Sequence, residues 1–269
     1  MNPNAASQTS LMPIDNGMTE SELEYVGLRM NPVAGQEIYL HLADLLLTVK
    51  TIATDDRLNI LDFGANLSPY RALFPNSDYR RADIGGPGAE DYLIAGDGTV
   101  CERDESFDLI LSTQVAEHLP DPPVYFDECF RLLKPGGRLF LSTHGSFEDH
   151  SFPGDFQRWT AEGLKRALGK SGFEIVKAYR MTAGPRAALH HVERCLETTF
   201  PSRATAVGMT LWLLRGLHRT FRPIINRIAD NAFSAYKVID VASVSGDWAR
   251  NMYIGVAVIA RRPGSLRIS

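Results

Sequence analysis

The sequence predicts an α/β protein in which helices cover a mostly parallel β-sheet. Short apolar segments suited to strands alternate along the chain with segments in which apolar residues recur at helical spacing. Such alternation favours parallel strands that are joined by right-handed helical crossovers. Seven segments are predicted as strands, and these are residues 58–63, 79–83, 92–94, 107–112, 138–142, 173–179 and 252–260.

Three of the predicted helices can be located from local patterns. An apolar stripe over Ile38–Val49 predicts an amphipathic helix before the first strand. A second helix is predicted to begin at Pro122-Pro123, because proline suits the first helical turn, and to end before the turn Lys134–Gly137. Thr160 can cap a third helix, which Gly172 can end.

Composition divides the chain into four predicted parts. Residues 1–30 are polar and predict a flexible N-terminal arm, and residues 31–185 predict the ligand-binding α/β core. Residues 186–250 depart from the alternation and predict a helical insertion that covers the core. Residues 251–263 predict a final strand that returns to the core sheet.

The overall composition favours a soluble enzyme-sized domain. The 269 residues are 44% apolar and 22% charged, which is enough to bury a core without disulfides or metals. The net charge of −4 provides no basic field for nucleic acid. The three scattered cysteines Cys101, Cys129 and Cys195 suit a reducing cytosol, and no signal peptide or membrane-spanning run is visible, so a cytoplasmic location is expected.

The predicted helix over residues 204–227 permits two interpretations. Apolar residues form one stripe, and arginines at 215, 219, 222 and 227 supply positive charge. This helix either covers the sheet or active site, or rests as a basic amphipathic patch on a membrane surface. The sequence alone leaves both interpretations open.

The loop after the first strand is suited to a close approach between backbone and ligand. In an open parallel sheet, ligands bind beyond the carboxyl ends of the strands, where Gly64 follows the first strand. A dinucleotide site needs glycine at two further positions, which here hold Asn66 and Pro69. This pattern disfavours a nicotinamide cofactor, although Asn66 can adopt the left-handed backbone of such a turn.

Two aspartates follow the next strands in an order that suits an adenosine ligand without phosphates. Asp83 ends the second strand, where a carboxylate can accept hydrogen bonds from both ribose hydroxyls. Asp97-Gly98 follows the third strand and can meet the adenine amino group. Either aspartate alone is equally compatible with an ordinary loop or turn residue.

Further downstream, the sequence resembles the class I S-adenosylmethionine-dependent methyltransferases, in particular their type 11 branch. The segments that carry this resemblance are Phe107-Asp108, Glu117-His-Leu119 and Leu133-Lys-Pro-Gly-Gly137. It extends over roughly residues 56–180 and implies a Rossmann-like fold with a seven-stranded sheet. The segment 155–164 is also similar to one found in bacterial members that are encoded with surface-glycan genes.

The resemblance implies S-adenosyl-L-methionine as cofactor and assigns residues to each part of it. Asp83 would hold the ribose, Ile84 would pack on adenine, and Gln114 would lie near the sulfonium. The methionine portion would be lined by Phe63, Gly64, Ala65 and Asn66, and the adenine edge would meet Asp97 and Gly98. The family usually has a second glycine where this chain has Asn66.

Candidate catalytic bases follow the fifth strand. An oxygen acceptor of high pKa needs a base, and histidine titrates near neutral pH. His144 is the first candidate and His150 the second, with Asp155 in the same segment, whereas His118 is expected to be structural. Because HxxxH and HExxH spacings are absent, the sequence predicts no catalytic zinc.

The function predicted from these patterns is transfer of a methyl group to a small-molecule acceptor, with a sugar or a glycan or lipid intermediate as the candidate acceptor. The loop with Asn66 motivates an alternative, a catalytically inactive member of the same fold that acts as a binding or scaffolding protein. A nicotinamide-dependent oxidoreductase is the least favoured alternative.

Overall fold

The chain forms one mixed β-sheet with helices on both faces. The computed structural model describes residues 18–150, 154–199, 203–243 and 246–264. Within them the strands lie side by side in the order β3-β2-β1-β4-β5-β8-β6-β7. Their bounds are β1 Asn59–Phe63, β2 Asp78–Asp83, β3 Tyr92–Leu93, β4 Phe107–Thr113, β5 Leu133–His144, β6 Glu174–Ala183, β7 Val238–Asp240 and β8 Tyr253–Arg261.

The strand directions confirm the predicted mostly parallel α/β architecture. Strands β1 to β5 pair in parallel, whereas β8 runs antiparallel to both of its neighbours, β5 and β6. The sheet has one strand more than predicted, because β7 pairs antiparallel with the outer edge of β6. Three residues are too few for a periodic pattern, so this strand leaves little signal in the sequence.

Six α-helices surround the sheet in the described residues. The helix α4 is capped as expected, because the Thr160 hydroxyl accepts a hydrogen bond of 3.0 Å from the backbone N–H of Gly163. The segment predicted as a turn at Lys134–Gly137 instead lies within β5, which begins directly after α3. The helix bounds are α1 Glu20–Met30, α2 Tyr39–Val49, α3 Pro122–Leu132, α4 Ala161–Lys170, α5 Pro185–Thr198 and α6 Ala206–Ala232.

The predicted N-terminal arm contains a helix. Residues 1–17 lie outside the described residues, but α1 occupies Glu20–Met30. The Thr19 side chain accepts from the backbone N–H of Glu22, and the Glu22 carboxylate accepts from the Thr19 backbone N–H at 2.7 Å. This capping box satisfies two donors that the first turn leaves free, so part of the predicted arm is helical, and its flexibility remains a prediction.

The core is split into two layers by the sheet. Adjacent strand residues point to opposite faces, so Leu61 packs toward α3 and α4 whereas Ile60 packs toward α2. The same alternation places Leu139 and Phe140 on opposite faces. The central strands are therefore buried on both faces.

A buried ion pair joins the helical insertion to the core. The Arg186 guanidinium on α5 donates to both carboxylate oxygens of Asp44 on α2, at 2.7 and 3.0 Å, and both side chains are fully buried. Arg186 also lies 3.0 Å from Asp230 on α6. The predicted division of the chain into core and insertion remains a prediction, but α5 and α6 are tied to the core by these contacts.

Candidate active site

The carboxyl ends of the central strands lie side by side. Phe63 at the end of β1 pairs with Ala82 of β2, and Asp62 pairs with Leu111 of β4. The backbone N–H groups of both Gly64 and Ala65 donate to the carbonyl of Ala82, at 2.8 and 3.1 Å. The loops that follow β1, β2 and β4 therefore start from one edge of the sheet.

Gly64 adopts a backbone conformation that would be strained for a residue with a side chain. Its φ is +78°, and a Cβ built on it would lie 2.5 Å from a methyl group of Val115. Asn66 follows with a φ of +44° and Ser68 with +46°. Asn66 thus adopts the left-handed conformation that the sequence suggested for it, and the loop turns sharply without the second glycine.

Asp83 joins the loops after β1 and β2. Its Oδ2 accepts a hydrogen bond of 2.7 Å from the backbone N–H of Asn66, and its Oδ1 accepts one of 2.7 Å from that of Ile84. A carboxylate offers about four acceptor sites, so about two remain for other donors. Gly88 packs so closely here that a Cβ on it would lie 2.6 Å from Asp83 Oδ2.

An exposed apolar side chain lies next to this carboxylate. Ile84 is 63% exposed although it directly follows Asp83, and Leu93, which pairs with Asp83 across β2 and β3, is also 63% exposed. Covering a large aliphatic side chain with a flat apolar ligand removes apolar surface from water, which favours binding. Ile84 is therefore available for the contact with adenine that the sequence predicted.

Asp97 and Gly98 form a tight turn at the surface. Asp97 Oδ1 accepts from the backbone N–H of Thr99 at 3.1 Å and from its hydroxyl at 2.7 Å. These hydrogen bonds hold the pKa of Asp97 below its usual value. Gly98 has a φ of +85°, which glycine adopts readily. One carboxylate oxygen is thus engaged within the turn, and the predicted contact with adenine remains a prediction.

Gln114 presents a buried acceptor at the end of β4. Its Nε2 donates to the Ser142 hydroxyl at 3.1 Å, while its Oε1 is buried and has no hydrogen-bond donor among the described residues. A buried acceptor without a donor is costly unless a ligand or water supplies one. The backbone at Gln114 has a φ of +57°, a strained value that recurs at functional sites.

Phe63 and Ala65 contribute to this edge only through their backbones. The ring of Phe63 is fully buried and packs on Tyr125 with ring centroids 4.6 Å apart, and Ala65 is buried as well. Taken together, the remaining acceptor sites of Asp83 and the exposed Ile84 fit the ribose and the adenine of S-adenosylmethionine. Gln114, which was predicted near the sulfonium, offers an orphaned Oε1 that also suits the amino group of the cofactor. The assignment of these residues to the cofactor remains a prediction.

On the other side of Gln114, a carboxylate and an imidazole face each other in the interior. His144 at the end of β5 places Nε2 3.1 Å from Oε1 of Glu117, and both side chains are buried. Burial raises the pKa of Glu117 to about 7. Burial, followed by the neighbouring His41, His150 and Arg158, lowers the pKa of His144 well below its usual value.

His150 lies beside this pair and is held by a third group. Its ring centroid lies 5.0 Å from that of His144, and its Nδ1 lies 3.1 Å from Oδ2 of Asp155. Arg158 donates to both oxygens of Asp155 at 2.5 and 2.6 Å, which keeps the pKa of Asp155 well below its usual range. The two predicted bases therefore lie in one cluster, and Asp155 supports His150.

Six of the seven histidines in the chain are linked through ring contacts around Phe147. His144 stacks on Phe147 with centroids 4.0 Å apart, and His118 contacts both the ring of His150 and the carbonyl of Gly154. The structural role expected for His118 remains a prediction. The linked histidines are His41, His118, His144, His150, His190 and His191.

Sequence reasoning missed two members of this site. Glu117 entered only as part of a family motif, because it lies four residues beyond the end of β4, in the short 3₁₀ turn Ala116–His118, where no strand pattern marks it. His41 lies on α2 and is 2% exposed, with neither ring nitrogen bonded to a partner in the described residues. Nothing in the pattern of α2 distinguishes His41 from an ordinary core position.

The long helix α6 exposes apolar side chains along much of its length. Two of its arginines pair with carboxylates of α5. The buried Arg222 lies 2.8 Å from Glu193, and Arg219, whose side chain is 56% exposed, lies 2.6 Å from Glu197. Among the described residues, no helix is long and apolar enough to cross a bilayer. The exposed apolar residues of α6 are Val207, Met209, Trp212, Leu213, Leu214, Leu217, Phe221, Ile224 and Ile228.

The sequence of this chain is similar to those of known methyltransferases. A family model described as a methyltransferase domain matches residues 37–178, just over half of the chain. A ubiquinone biosynthesis O-methyltransferase of Xanthomonas axonopodis pv. citri is 29% identical over 121 residues, 45% of this chain and 48% of that protein. The protein of the same name from Xylella fastidiosa (strain M23) is 48% identical over 54 residues, 20% of this chain and 22% of that protein.

The chain thus spans about half the length of the first of these relatives and less of the second. Among solved structures, the [4+2]-cyclase SpnF matches with a TM-score of 0.52 and 17% identity, covering 91% of this chain and 93% of that one. At this identity the match supports the fold alone.

Proposed function

The chain belongs to the class I S-adenosylmethionine-dependent methyltransferases, and from this membership we propose that it transfers a methyl group to an oxygen atom of a small-molecule acceptor. S-adenosylmethionine, when bound, supplies an already activated methyl carbon. The protein must therefore mainly align the acceptor oxygen with that carbon, which can contribute about 7–11 kcal/mol to the barrier reduction.

Asp83 is the residue that fixes the cofactor in this proposal. Two backbone N–H groups orient its carboxylate, so its remaining acceptor sites are held ready for the two ribose hydroxyls. Ile84 adds an apolar contact for the base, and Gly64 lets the backbone approach closely. Gln114 Oε1 supplies an acceptor for the amino group of the cofactor, which would satisfy its unmade hydrogen bond.

The cluster of Glu117, His144 and His150 receives the proton of the acceptor. Because burial lowers the pKa of His144, a proton taken up at its Nε2 depends on stabilisation by Oε1 of Glu117, 3.1 Å away. His150 is the second base, and its Nδ1 lies 3.1 Å from Oδ2 of Asp155. An acceptor oxygen between Gln114 and His144 would meet the methyl carbon on one side and the base on the other.

An acceptor with an apolar portion is favoured over a free sugar. The relatives are named for ubiquinone biosynthesis, and the exposed apolar face of α6 is suited to the surface of a membrane or of a lipid aggregate. We therefore propose a lipid intermediate as the acceptor class, with peripheral membrane contact through the helix predicted at residues 204–227. Glycan intermediates that carry a lipid belong to the same chemical class.

The observation that carries the proposal is the pre-oriented carboxylate of Asp83 beside the Gly64 loop. The test is to incubate the protein with tritiated S-adenosylmethionine and with separate lipid and aqueous fractions of a bacterial extract. We expect label in a product of the lipid fraction, identified by mass spectrometry, and none with heat-denatured protein. Absence of label from both fractions, together with no calorimetric binding of the cofactor, would instead support a binding or scaffolding protein.

A further inference from the structure

A carboxylate and two imidazoles converge beside the proposed acceptor position. We propose that Glu117, His144 and His150 bind a divalent transition-metal ion, with Zn²⁺ as the reference ion. The catalytic role of the ion rests on the proposed function, whereas the binding of the ion can be tested independently of that function. The sequence spacing predicted no zinc, because the three ligands come from separate segments rather than from one helix.

The donor atoms are already close to the geometry of a metal site. One donor atom from each of the three residues lies within 4.8 Å of the others. Two ligands at about 2.0 Å from a tetrahedral Zn²⁺ lie about 3.3 Å apart. The separation of 3.1 Å between His144 Nε2 and Glu117 Oε1 matches this value. A movement of His150, whose side chain is 36% exposed, would complete the triangle.

The contact between Glu117 and His144 is poorly explained as a hydrogen bond. Although the two atoms lie 3.1 Å apart, Oε1 of the fully buried Glu117 receives no hydrogen bond from the described residues. An unpaired buried carboxylate oxygen is costly. A cation bound by both Glu117 Oε1 and His144 Nε2 would explain why the two atoms lie 3.1 Å apart, and it would offset the cost of the unpaired carboxylate oxygen.

Outer groups hold the ligands as they do in established metal sites. The Thr143 hydroxyl donates to Glu117 Oε2 at 2.7 Å, which leaves Oε1 for an ion. Asp155 Oδ2 accepts a hydrogen bond of 2.9 Å from the backbone N–H of His150 and lies 3.1 Å from its Nδ1, which has no hydrogen-bond partner among the described residues. A carboxylate behind a ligating histidine fixes the ring and increases its basicity.

The donor set also indicates which ion would bind. Imidazoles favour Zn²⁺, Fe²⁺, Co²⁺ and Ni²⁺, whereas Mg²⁺ and Ca²⁺ prefer sites built from oxygen. Three protein ligands leave the fourth position of a tetrahedral ion open. The open position suits the acceptor oxygen, and binding to a cation would lower the pKa of its hydroxyl. With ring nitrogens of His144 and His150 engaged by the ion, the proton would leave to water instead of to these histidines. The oxygen anion would attack the methyl carbon while the bond from that carbon to the sulfur breaks, and S-adenosylhomocysteine would leave.

The proposed metal site also lies close to the loop after β1 that contains Gly64. Val115, two residues before Glu117, packs against Gly64, and Gln114 directly precedes Val115. An ion held by Glu117 would therefore lie on the acceptor side of the cofactor. No rearrangement of the sheet is needed to bring the two together.

The test measures metal binding directly. Chelator-treated, metal-free protein is titrated with Zn²⁺ by calorimetry, and Co²⁺ is used in parallel because its visible absorption reports tetrahedral coordination. We expect one ion per chain. Glu117→Gln and His150→Ala should weaken binding by at least about 10–100-fold. His218→Ala, which removes a histidine of α6 outside the cluster, is the matched control and should bind like the wild type.

His150→Ala is the decisive variant, because its side chain is partly exposed and its removal leaves the buried pair intact. Zn²⁺ should raise the Tm of the wild type but not that of this variant. Absence of saturable binding to the wild type, or unchanged binding by His150→Ala, would overturn the proposal. If metal-free protein binds S-adenosylmethionine and transfers methyl at the full rate, the catalytic role of the ion fails while the proposed function stands. If the protein binds Zn²⁺ but not S-adenosylmethionine, the metal site stands while the proposed function fails.

Discussion

The backbone N–H of Asn66 donates a 2.7 Å hydrogen bond to Oδ2 of Asp83. This bond joins the loop after β1 to the end of β2, so the turn at Asn66 and the position of the carboxylate depend on each other. A carboxylate held by backbone donors loses little entropy when it accepts further hydrogen bonds. The relationship makes Asp83 the residue on which cofactor affinity should depend most strongly.

Replacing Asp83 should weaken binding of the cofactor. Asp83→Ala deletes charge-assisted hydrogen bonds to the ribose, so we expect a loss of about 1.5–3 kcal/mol in binding free energy. Calorimetric titration with S-adenosylmethionine measures it, after thermal unfolding has shown that the variant folds. Asp78→Ala, at the opposite end of the same strand, is the control and should bind normally. Equal affinities of Asp83→Ala and Asp78→Ala would exclude Asp83 from the site.

The close contact of Gly64 with Val115 should make the loop intolerant of a side chain. Gly64→Ala introduces a Cβ 2.5 Å from a Val115 methyl group and forces alanine to a φ of +78°. The backbone contribution alone costs roughly 1–2 kcal/mol of stability, and overpacking adds about 1–3 kcal/mol.

A double-mutant cycle separates the two costs of Gly64→Ala. In the Val115→Ala background, the added methyl group has space, so only the backbone cost should remain. Urea unfolding of the four proteins measures this difference. Additive effects of the two substitutions would show that the contact between Gly64 and Val115 does not limit the loop.

His144 should matter for turnover rather than for cofactor binding. His144→Ala removes both a candidate base and a candidate metal ligand on the acceptor side, so kcat should fall by about 10²–10⁴-fold. The dissociation constant of S-adenosylmethionine should change little. Single-turnover assays with labelled cofactor, run beside calorimetry, distinguish the two quantities. Wild-type turnover in His144→Ala would assign this residue to the lining of the pocket.

Asp62 should make stability depend on pH. Burial raises the pKa of this carboxyl to about 7, partly offset by the Tyr79 hydroxyl that donates to it at 2.7 Å. Between pH 4 and 7 the folded state then binds more protons than the unfolded state. Stability therefore decreases as the pH rises through this window, by at most about 1.4 kcal/mol per pH unit for one proton.

Asp62→Asn removes this titration and should flatten the pH profile. The difference in unfolding free energy between pH 5 and pH 8, measured in urea, should be smaller in the variant than in the wild type. Parallel profiles for the two proteins would mean that Asp62 is ionised in the folded state throughout this range.

The exposed face of α6 should bind vesicles. Leu213 and Ile224 are each at least half exposed, so charging both with Leu213→Glu and Ile224→Glu removes apolar contact. Burial of such a side chain contributes about 1.5–3 kcal/mol, so sedimentation with anionic vesicles should fall at least about tenfold. Val176→Glu changes an exposed apolar residue on β6 and is the control. Equal sedimentation of all three proteins would refute membrane contact through α6.

The sequence predicted what depends on local pattern. The alternation of strands and helices, the left-handed Asn66 and the cap at Thr160 each leave a signal within a few residues. The helix α1 also left such a signal, Thr19 with Glu22, which the polar composition of its surroundings obscured. The strand β7 is too short to have a period, and it forms because the edge of β6 provides pairing partners.

What the sequence did not predict depends on contacts between distant segments. Arg186 and Asp44 are separated by 142 positions and meet only when α5 packs on α2. Glu117 and His144 are brought together by the pairing of β4 with β5, and the position of His150 depends on the path of the chain after β5. Spacing motifs detect ligands within one helix, so they could not indicate this cluster.

The most direct test is a crystal structure of the protein soaked with S-adenosylhomocysteine. The account predicts electron density along the ends of β1, β2 and β4, with both ribose hydroxyls on Asp83 and the thioether sulfur on the side of Gln114 that faces His144. Density in another part of the molecule, or an edge at which Gly88 and the Asn66 loop leave no room for the nucleoside, would contradict it.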